Sequence, residues 1–200
     1  MNIKICGLNN FQNILDVEKL KPDFMGFIFY ENSPRYPRKV PSVNVNKVGV
    51  FVNESTENII RLTNKYQLNF IQLHGNESVK QTRELSENGL KIIKAFSITD
   101  TLPVEELKKY SPFCSYFLFD TKGKHYGGNG KKFDWEILRE YTLTTPFLLS
   151  GGIKFNDVNE IKSIKHPAFA GVDLNSGFEV EKGFKNIEQL RKFIHELRNK

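Results

Sequence analysis

The sequence has few cysteines and no long apolar run, and both absences narrow the kinds of protein it can be. Its 2 cysteines, Cys6 and Cys114, show no C-x-x-C or Cys/His spacing, so neither a disulfide framework nor a zinc site is indicated. Apolar stretches such as residues 24–30 are far shorter than the roughly 20 residues of a membrane-spanning helix, and no signal-peptide pattern begins the chain. We therefore expect reduced thiols, no membrane partner and a cytoplasmic location.

The chain also lacks a basic cluster, although its formal net charge is +6. Its 29 Lys and Arg residues are scattered among 23 acidic ones, and its 17 phenylalanines lie mostly in strand and helix-face patterns. A nucleic-acid-binding domain would instead gather basic residues beside exposed aromatic ones, so we expect no nucleic-acid partner. A mildly positive surface suits a small anionic substrate such as a phosphate ester.

The length of 200 residues predicts one domain, residues 1–200, around one core. Short β-rich segments alternate with polar turns and amphipathic stretches, which is the pattern of repeated βα units around a parallel sheet. Eight strands are predicted: Ile3 to Cys6, Phe24 to Phe29, Lys47 to Phe51, Phe70 to Leu73, Lys91 to Phe96, Tyr116 to Asp120, Phe147 to Ser150 and Gly171 to Leu174.

Helical periodicity is clearest at Glu57 to Tyr66, Ser78 to Asn88 and Ile187 to Leu197. The segment after the second strand, from Pro34 to Pro41, is rich in proline instead, so we expect a loop with at most a stunted helix there. The fold class is therefore α/β, a (β/α)8 TIM barrel whose second helix is shortened or missing. An open doubly wound sheet uses the same alternation and remains the alternative.

The placement of polar and glycine residues favours the closed barrel. Such residues follow many of the predicted strands, and in a barrel these strand ends converge on one mouth, where active sites of this fold form. The segments are Cys6-Gly7, Ser33-Pro34-Arg35, Asn53, His74-Gly75, Asp120-Thr121, Gly151-Gly152 and Ser176-Gly177.

Two glycine-containing segments follow the last two predicted strands, where such barrels often bind phosphate. Gly151-Gly152 and Ser176-Gly177 let the backbone approach phosphate oxygens closely, so that N–H groups can donate to them. Each segment taken singly is more often a plain turn. Their occurrence in consecutive loops makes a phosphate site the more specific interpretation.

Cys6 and Asp120 are the candidate reactive groups. Cys6 ends the first predicted strand and precedes Gly7, so its sulfur could face the mouth, although a lone cysteine is more often a buried, inert side chain. Cys114 fits that inert description better. Asp120 ends an apolar run that would desolvate a carboxyl group and favour its proton-donating form, while capping of the following turn is the alternative.

In their order and spacing, the motifs along nearly the whole chain resemble those of the phosphoribosylanthranilate isomerases, and the combination is far more specific than any one piece. The motifs are Lys4-Ile5-Cys6-Gly7-Leu8, Gly26-Phe27-Ile28-Phe29-Tyr30, Ser33-Pro34-Arg35-Tyr36, Val48-Gly49-Val50-Phe51-Val52-Asn53, Gln72-Leu73-His74-Gly75, Phe119-Asp120-Thr121, Gly127-Gly128-Asn129-Gly130, Phe133-Asp134-Trp135, Ser150-Gly151-Gly152, and Asp173 with Ser176-Gly177.

The resemblance implies a (β/α)8 barrel that performs an Amadori rearrangement of N-(5-phosphoribosyl)anthranilate in tryptophan biosynthesis, without a metal or an organic cofactor. It implies that Cys6 is the general base, Asp120 the general acid and Arg35 the group that meets the anthranilate end of the substrate. The implied substrate-binding residues are Arg35, Asp173, Gly151, Gly152, Ser176 and Gly177. Both a monomer and a homodimer are compatible with this family.

Departures from the family pattern are small: Asn175 and Asn129 stand where many members carry a hydroxyl side chain. The rival enzyme is the histidine-pathway isomerase, which runs the same chemistry on a larger substrate and resembles a two-fold repeat with an aspartate as base. Cys6 in that position and the lack of a half-chain repeat disfavour it. A non-catalytic sugar-phosphate-binding barrel is the other rival, and it would not need Cys6 and Asp120.

Overall fold

The computed structural model describes residues 1–121 and 132–199, and in it eight parallel strands close into a barrel. Each strand pairs with the next along the chain, and the eighth pairs with the first, so the open doubly wound alternative is excluded. The predicted fold class and all eight predicted strands are confirmed. The strands are β1 (Asn2–Ile5), β2 (Phe24–Ile28), β3 (Asn46–Phe51), β4 (Phe70–Leu73), β5 (Ile92–Ile98), β6 (Tyr116–Thr121), β7 (Phe147–Leu149) and β8 (Phe169–Leu174).

Six α-helices lie in the described part of the chain, and the three predicted ones are among them. Asparagine or serine caps four of the six, because each cap side chain accepts a backbone N–H from the first turn. None of the helices among the described residues is long and apolar enough to span a membrane. The helices are α1 (Phe11–Glu18), α2 (Thr56–Tyr66), α3 (Val79–Glu87), α4 (Val104–Tyr110), α5 (Val158–Ser163) and α6 (Ile187–Arg198).

The connection between β2 and β3 contains no helix, as its prolines predict. Elsewhere the helical layer is reduced in ways that the sequence pattern did not predict. A 3₁₀ helix, Trp135–Glu140, precedes β7, and α5 has only 6 residues. A short hairpin of β9 (Glu179–Glu181) and β10 (Phe184–Lys185) follows β8. The missing and shortened helices allow an eight-stranded barrel to form within 200 residues.

Apolar side chains fill the amino-terminal half of the barrel interior and leave its other end to polar groups. A compact cluster there is separate from the larger core between strands and helices, and it comprises Phe24, Val48, Ile93, Ala95, Leu118 and Leu148. Successive side chains of a strand alternate between its two faces. Asp120, two residues beyond Leu118, therefore also points inward, at the carboxyl end of the barrel.

Candidate active site

A cavity of about 540 Å³ opens at the carboxyl ends of the strands. All eight of the predicted site residues line it: Cys6, Arg35, Asp120, Gly151, Gly152, Asp173, Ser176 and Gly177. Cys6 follows β1 and Asp120 lies in β6, three strands away around the barrel, so the two reactive groups face each other across the mouth. The Gly127-Gly128-Asn129-Gly130 motif lies outside the described residues.

Cys6 extends the ladder of β1 by one residue, since its N–H donates to the carbonyl of Leu174 at 2.9 Å. Its side chain is only 3% exposed. The sulfur occupies space that a side chain at Gly26 would fill, because a Cβ there would lie 2.6 Å from the Cys6 Sγ. The glycine of β2 therefore makes room for the thiol at the cavity floor.

A buried ion pair lies directly beneath this thiol. The Lys4 Nζ donates to Asp173 Oδ1 at 2.8 Å, and the Ser150 hydroxyl donates to Asp173 Oδ2 at 3.3 Å. Burial alone would lower the pKa of Lys4, but the Asp173 carboxylate and Cys6 together raise that pKa above its ordinary value, so the ammonium stays charged. Lys4 lies two residues before Cys6 on the same face of the strand, and its charge acts on the thiol.

The acidity of Cys6 differs from the expectation drawn from its chemistry. A cysteine that acts as a base near neutral pH needs a low pKa, and on that ground we expect Arg35 and helix amino termini at the mouth to lower it, but the pKa of the buried thiol is raised. Desolvation is the largest cause, and Asp173 adds to it, while the charges of Lys4 and Lys185 offset them only in part. The expectation was wrong because it ignored burial.

One hydrogen bond and one ion-pair contact reach the carboxyl group of Asp120. The backbone N–H of Thr121 donates to Oδ1 at 2.8 Å, and Nε2 of His74 lies 3.3 Å from Oδ2. The other ring nitrogen of His74, Nδ1, lies 2.7 Å from the Nε2 of Gln72. Gln72 and His74 are two residues apart, so both point into the barrel from β4 and the residue after it.

Arg35 is held by a carboxylate at the rim of the cavity. Its Nε and Nη2 donate to Glu179 Oε1 and Oε2 at 2.9 and 2.7 Å, a bidentate ion pair with the first strand of the hairpin. Lys185 Nζ adds a third bond to Glu179, at 2.7 Å. Burial alone would raise the pKa of Glu179, but its bonds with Arg35 and the charge of Lys185 hold that pKa below its ordinary value.

The glycine loops after β7 and β8 lie side by side at the cavity edge. Gly151 and Gly152 have φ values of 87° and 68°, which glycine adopts without strain, and a Cβ at Gly177 would collide with the carbonyl oxygen of Ile153. The hydrogen bonds among described residues use none of the N–H groups of Gly151, Gly152 and Ile153. These donors are therefore available to an anion.

Sequence reasoning assigned no role to several polar residues around the cavity. The alternation of side chains along a strand could have predicted that Lys4 lies beside Cys6 and Gln72 beside His74. The local sequence carried no signal for the hairpin after β8, and so none for the cavity residues that it supplies. Within residues 1–121 and 132–199, no three His, Cys, Asp or Glu side chains come together as a metal site requires. The unassigned residues are Lys4, Gln72, His74, Ser150, Glu179, Lys182 and Lys185.

The closed barrel and its polar cavity at the carboxyl ends of the strands place the protein in the class of (β/α)8-barrel enzymes. The family model described as N-(5'-phosphoribosyl)anthranilate (PRA) isomerase matches residues 3–196 of the chain. The chain belongs to the N-(5'-phosphoribosyl)anthranilate isomerase family, and it is an isomerase.

Two relatives of this family match almost the full chain. The N-(5'-phosphoribosyl)anthranilate isomerase of Parabacteroides distasonis is 44% identical over 206 residues, which cover 98% of this chain and 93% of the relative. That of Phocaeicola vulgatus is 43% identical over 204 residues, covering 100% and 99%. The likeness therefore extends over the whole barrel.

Solved structures of the family share the fold. The phosphoribosyl anthranilate isomerase of Thermotoga maritima has a TM-score of 0.84 and 32% identity, covering 99% of this chain and 98% of that one. Another solved structure, of a phosphoribosyl anthranilate isomerase in complex with reduced 1-(o-carboxyphenylamino)-1-deoxyribulose 5-phosphate, has a TM-score of 0.81 and 29% identity, covering 99% of this chain and 98% of that one.

Proposed function

We propose that the chain converts N-(5-phosphoribosyl)anthranilate into 1-(2-carboxyphenylamino)-1-deoxyribulose 5-phosphate, a step of tryptophan biosynthesis, and that it needs no metal or organic cofactor. One observation carries the proposal: a thiol and a carboxyl group, Cys6 and Asp120, face one cavity from opposite sides of a barrel of this family. The complex of a related enzyme with a reduced form of this product supports the choice of substrate.

Asp120 acts as the general acid in the first step. Its proton passes to the ring oxygen of the sugar, the bond from C1 to that oxygen breaks, and the nitrogen lone pair forms the C1=N bond of a protonated Schiff base. Asp120 is left as a carboxylate, which accepts the N–H of Thr121 and has His74 Nε2 at 3.3 Å.

Cys6 acts as the general base in the second step. Its thiolate removes the proton from C2, the electrons form the C1=C2 bond, and a neutral enolamine results, which tautomerises to the aminoketone. The positive charge on the Schiff base would add to those of Lys4 and Lys185 and favour the thiolate when it is needed. The raised pKa of the thiol in the free site is thus compatible with its role.

Arg35 and the glycine loops bind the two ends of the substrate. Glu179 occupies Nε and one hydrogen of Nη2 of Arg35, so the N–H groups of Nη1 and the remaining one of Nη2 are left for the anthranilate carboxylate. Gly151, Gly152, Ser176 and Gly177 bind the phosphate through backbone N–H groups. Asp173 holds Lys4 beside Cys6 in addition to any contact with substrate.

The assignment is tested by supplying two substrates separately to the purified chain. Fluorescence of the anthranilate ring should decay when the chain is added to freshly made phosphoribosylanthranilate, and the aminoimidazole substrate of the histidine pathway should be left unchanged. Turnover of the second substrate alone would favour the histidine-pathway enzyme. Binding of either substrate without turnover would favour a sugar-phosphate-binding barrel. We expect a cytoplasmic enzyme, a monomer or a homodimer, which sedimentation would distinguish.

A further inference from the structure

We propose that His74 is a positioning residue for Asp120, held by Gln72 in the tautomer that carries its hydrogen on Nε2. This inference rests on the proposed function, because it concerns the proton that Asp120 gives to the sugar. His74 fixes the orientation of the carboxyl group and stabilises the carboxylate that remains once the proton has left.

The geometry gives each nitrogen of the His74 ring one partner. Nε2 faces Oδ2 of Asp120 at 3.3 Å, and Nδ1 faces the amide nitrogen of Gln72 at 2.7 Å. An amide nitrogen only donates, so Nδ1 must accept, and the hydrogen of a neutral ring then lies on Nε2. That nitrogen is the one that lies 3.3 Å from Asp120 Oδ2.

Gln72 is buried, so its amide group contacts His74 and not solvent. Its side chain is 1% exposed, and its amide oxygen is buried without a hydrogen-bond partner among the described residues. A buried amide oxygen left unpaired costs free energy. The amide nitrogen of Gln72 does have a partner, His74 Nδ1, and this hydrogen bond sets the tautomer of the ring.

The carboxyl group of Asp120 therefore has a partner at each oxygen. Thr121 N–H donates to Oδ1 from the backbone of β6, and His74 Nε2 lies 3.3 Å from Oδ2, at ion-pair distance, from the loop after β4. Hydrogen bonds that strengthen as a carboxyl group becomes charged lower the barrier to its losing a proton. With His74 removed, the carboxylate that remains after proton transfer loses a nearby N–H partner, so the transfer is less favourable.

Other charged groups near the pair are paired or lie across the cavity. Behind the His74 loop, Lys94 Nζ bonds Glu77 Oε2 at 3.0 Å and the carbonyls of Leu73 and Gly75, which flank His74. This neutral buried pair braces the loop. The groups that line the cavity with Asp120 and His74 are Cys6, Arg35, Asp173 and Lys182.

The test compares His74→Phe, which keeps the ring volume, with His74→Gln, which returns an N–H at similar reach but cannot titrate. In His74→Phe we expect kcat to fall roughly 10- to 100-fold, as the loss of a hydrogen bond to a charged group would cause, with a smaller change in KM. One limb of its pH profile should also move. His74→Gln should restore most of kcat and return that limb towards its original place.

The matched control is His166→Gln, the same change at a half-buried histidine that bonds the carbonyl of Tyr141 away from the cavity. This control variant should change neither kcat nor the position of either limb of the pH profile. A His74→Phe variant with the parental pH profile and kcat would overturn the proposal. So would equal losses in His74→Phe and His74→Gln with no movement of either limb, because a structural role alone produces that result.

Imidazole ¹⁵N chemical shifts of the unmodified chain give a second test that does not depend on a variant folding. At alkaline pH, His74 should show a protonated Nε2 and a bare Nδ1; the reverse pattern would overturn the proposal. Asp120→Asn separates this inference from the function on which it rests. If Asp120→Asn is active, Asp120 is not the general acid, and the proposed function is contradicted as well. If Asp120→Asn is inactive but His74→Phe is fully normal, only the role of His74 is contradicted.

Discussion

The guanidinium of Arg35 lies in a bidentate ion pair with Glu179, whose Oε2 is 2.7 Å from Nη2. Arg35 lies in the loop after β2 and Glu179 in the hairpin after β8, so their ion pair joins the two segments. Lys185 bonds the same carboxylate from the other strand of the hairpin. A Cβ at Gly7 would lie 2.7 Å from the Arg35 Cδ, so the turn after Cys6 also passes close to this side chain. The arginine is thus placed before substrate arrives, which reduces the ordering that binding must bring about.

Glu179→Gln should weaken substrate binding more than it slows the chemistry. The amide keeps the size of the carboxylate but not its charge, so Arg35 and Lys185 lose their shared anion. We expect KM to rise roughly 10-fold, the effect of losing about one hydrogen bond to a charged group, with a smaller change in kcat. Steady-state kinetics would check this. Glu181→Gln, at an exposed position of the same strand, is the control and should change neither constant.

Arg35→Lys should also raise KM while leaving stability nearly unchanged. An ammonium group cannot bond both oxygens of Glu179 and still offer a planar edge to the anthranilate carboxylate. Kinetic constants and a denaturation midpoint measured on the same preparation would separate the two effects. Unchanged kinetic constants would contradict the assignment of Arg35 to the substrate.

Gly151→Ala should impair both stability and turnover, because its Cβ would meet Thr121 and lie 2.8 Å from Oδ1 of Asp120. The matched control is Gly89→Ala, since Gly89 has a similar φ of 80° but open space around the added carbon. A positive φ costs both variants of order 1 kcal/mol in free energy of unfolding. Any further loss of stability in Gly151→Ala, and its fall in kcat, then measure crowding at Thr121 and Asp120. Equal behaviour of the two variants would contradict this account.

Stability should decline on the alkaline side, and Cys114 should contribute to the decline. Burial raises the pKa of this thiol from its ordinary 9.0 to about 12, so the unfolded chain loses the proton first. Its contribution is complete below pH 9.0 and is lost as pH rises towards about 12. Cys114→Ala should therefore flatten the dependence of the unfolding free energy on pH in this range. Urea denaturation at several pH values would check it, and identical slopes in both proteins would count against it.

The barrel was predictable because its signals are local. Strand patterning, helical periodicity and the prolines after β2 each act within a few neighbouring residues. The hairpin after β8 was not, because β9 and β10 have only 3 and 2 residues and its partners, Arg35 and Asn13, lie far away in sequence. The acidity of Cys6 was not predictable for the same reason, since burial and Asp173 are supplied by distant parts of the chain.

The central claim is that Cys6 and Asp120 are the base and the acid of one proton-transfer reaction. The most direct measurement is the decay of anthranilate-ring fluorescence after fresh phosphoribosylanthranilate is mixed with the unmodified chain, Cys6→Ala or Asp120→Asn. A positioned acid or base contributes about 10² to 10⁴ fold, so each variant should slow the decay by that factor while its circular dichroism stays native. Near-normal decay in either folded variant would contradict the account.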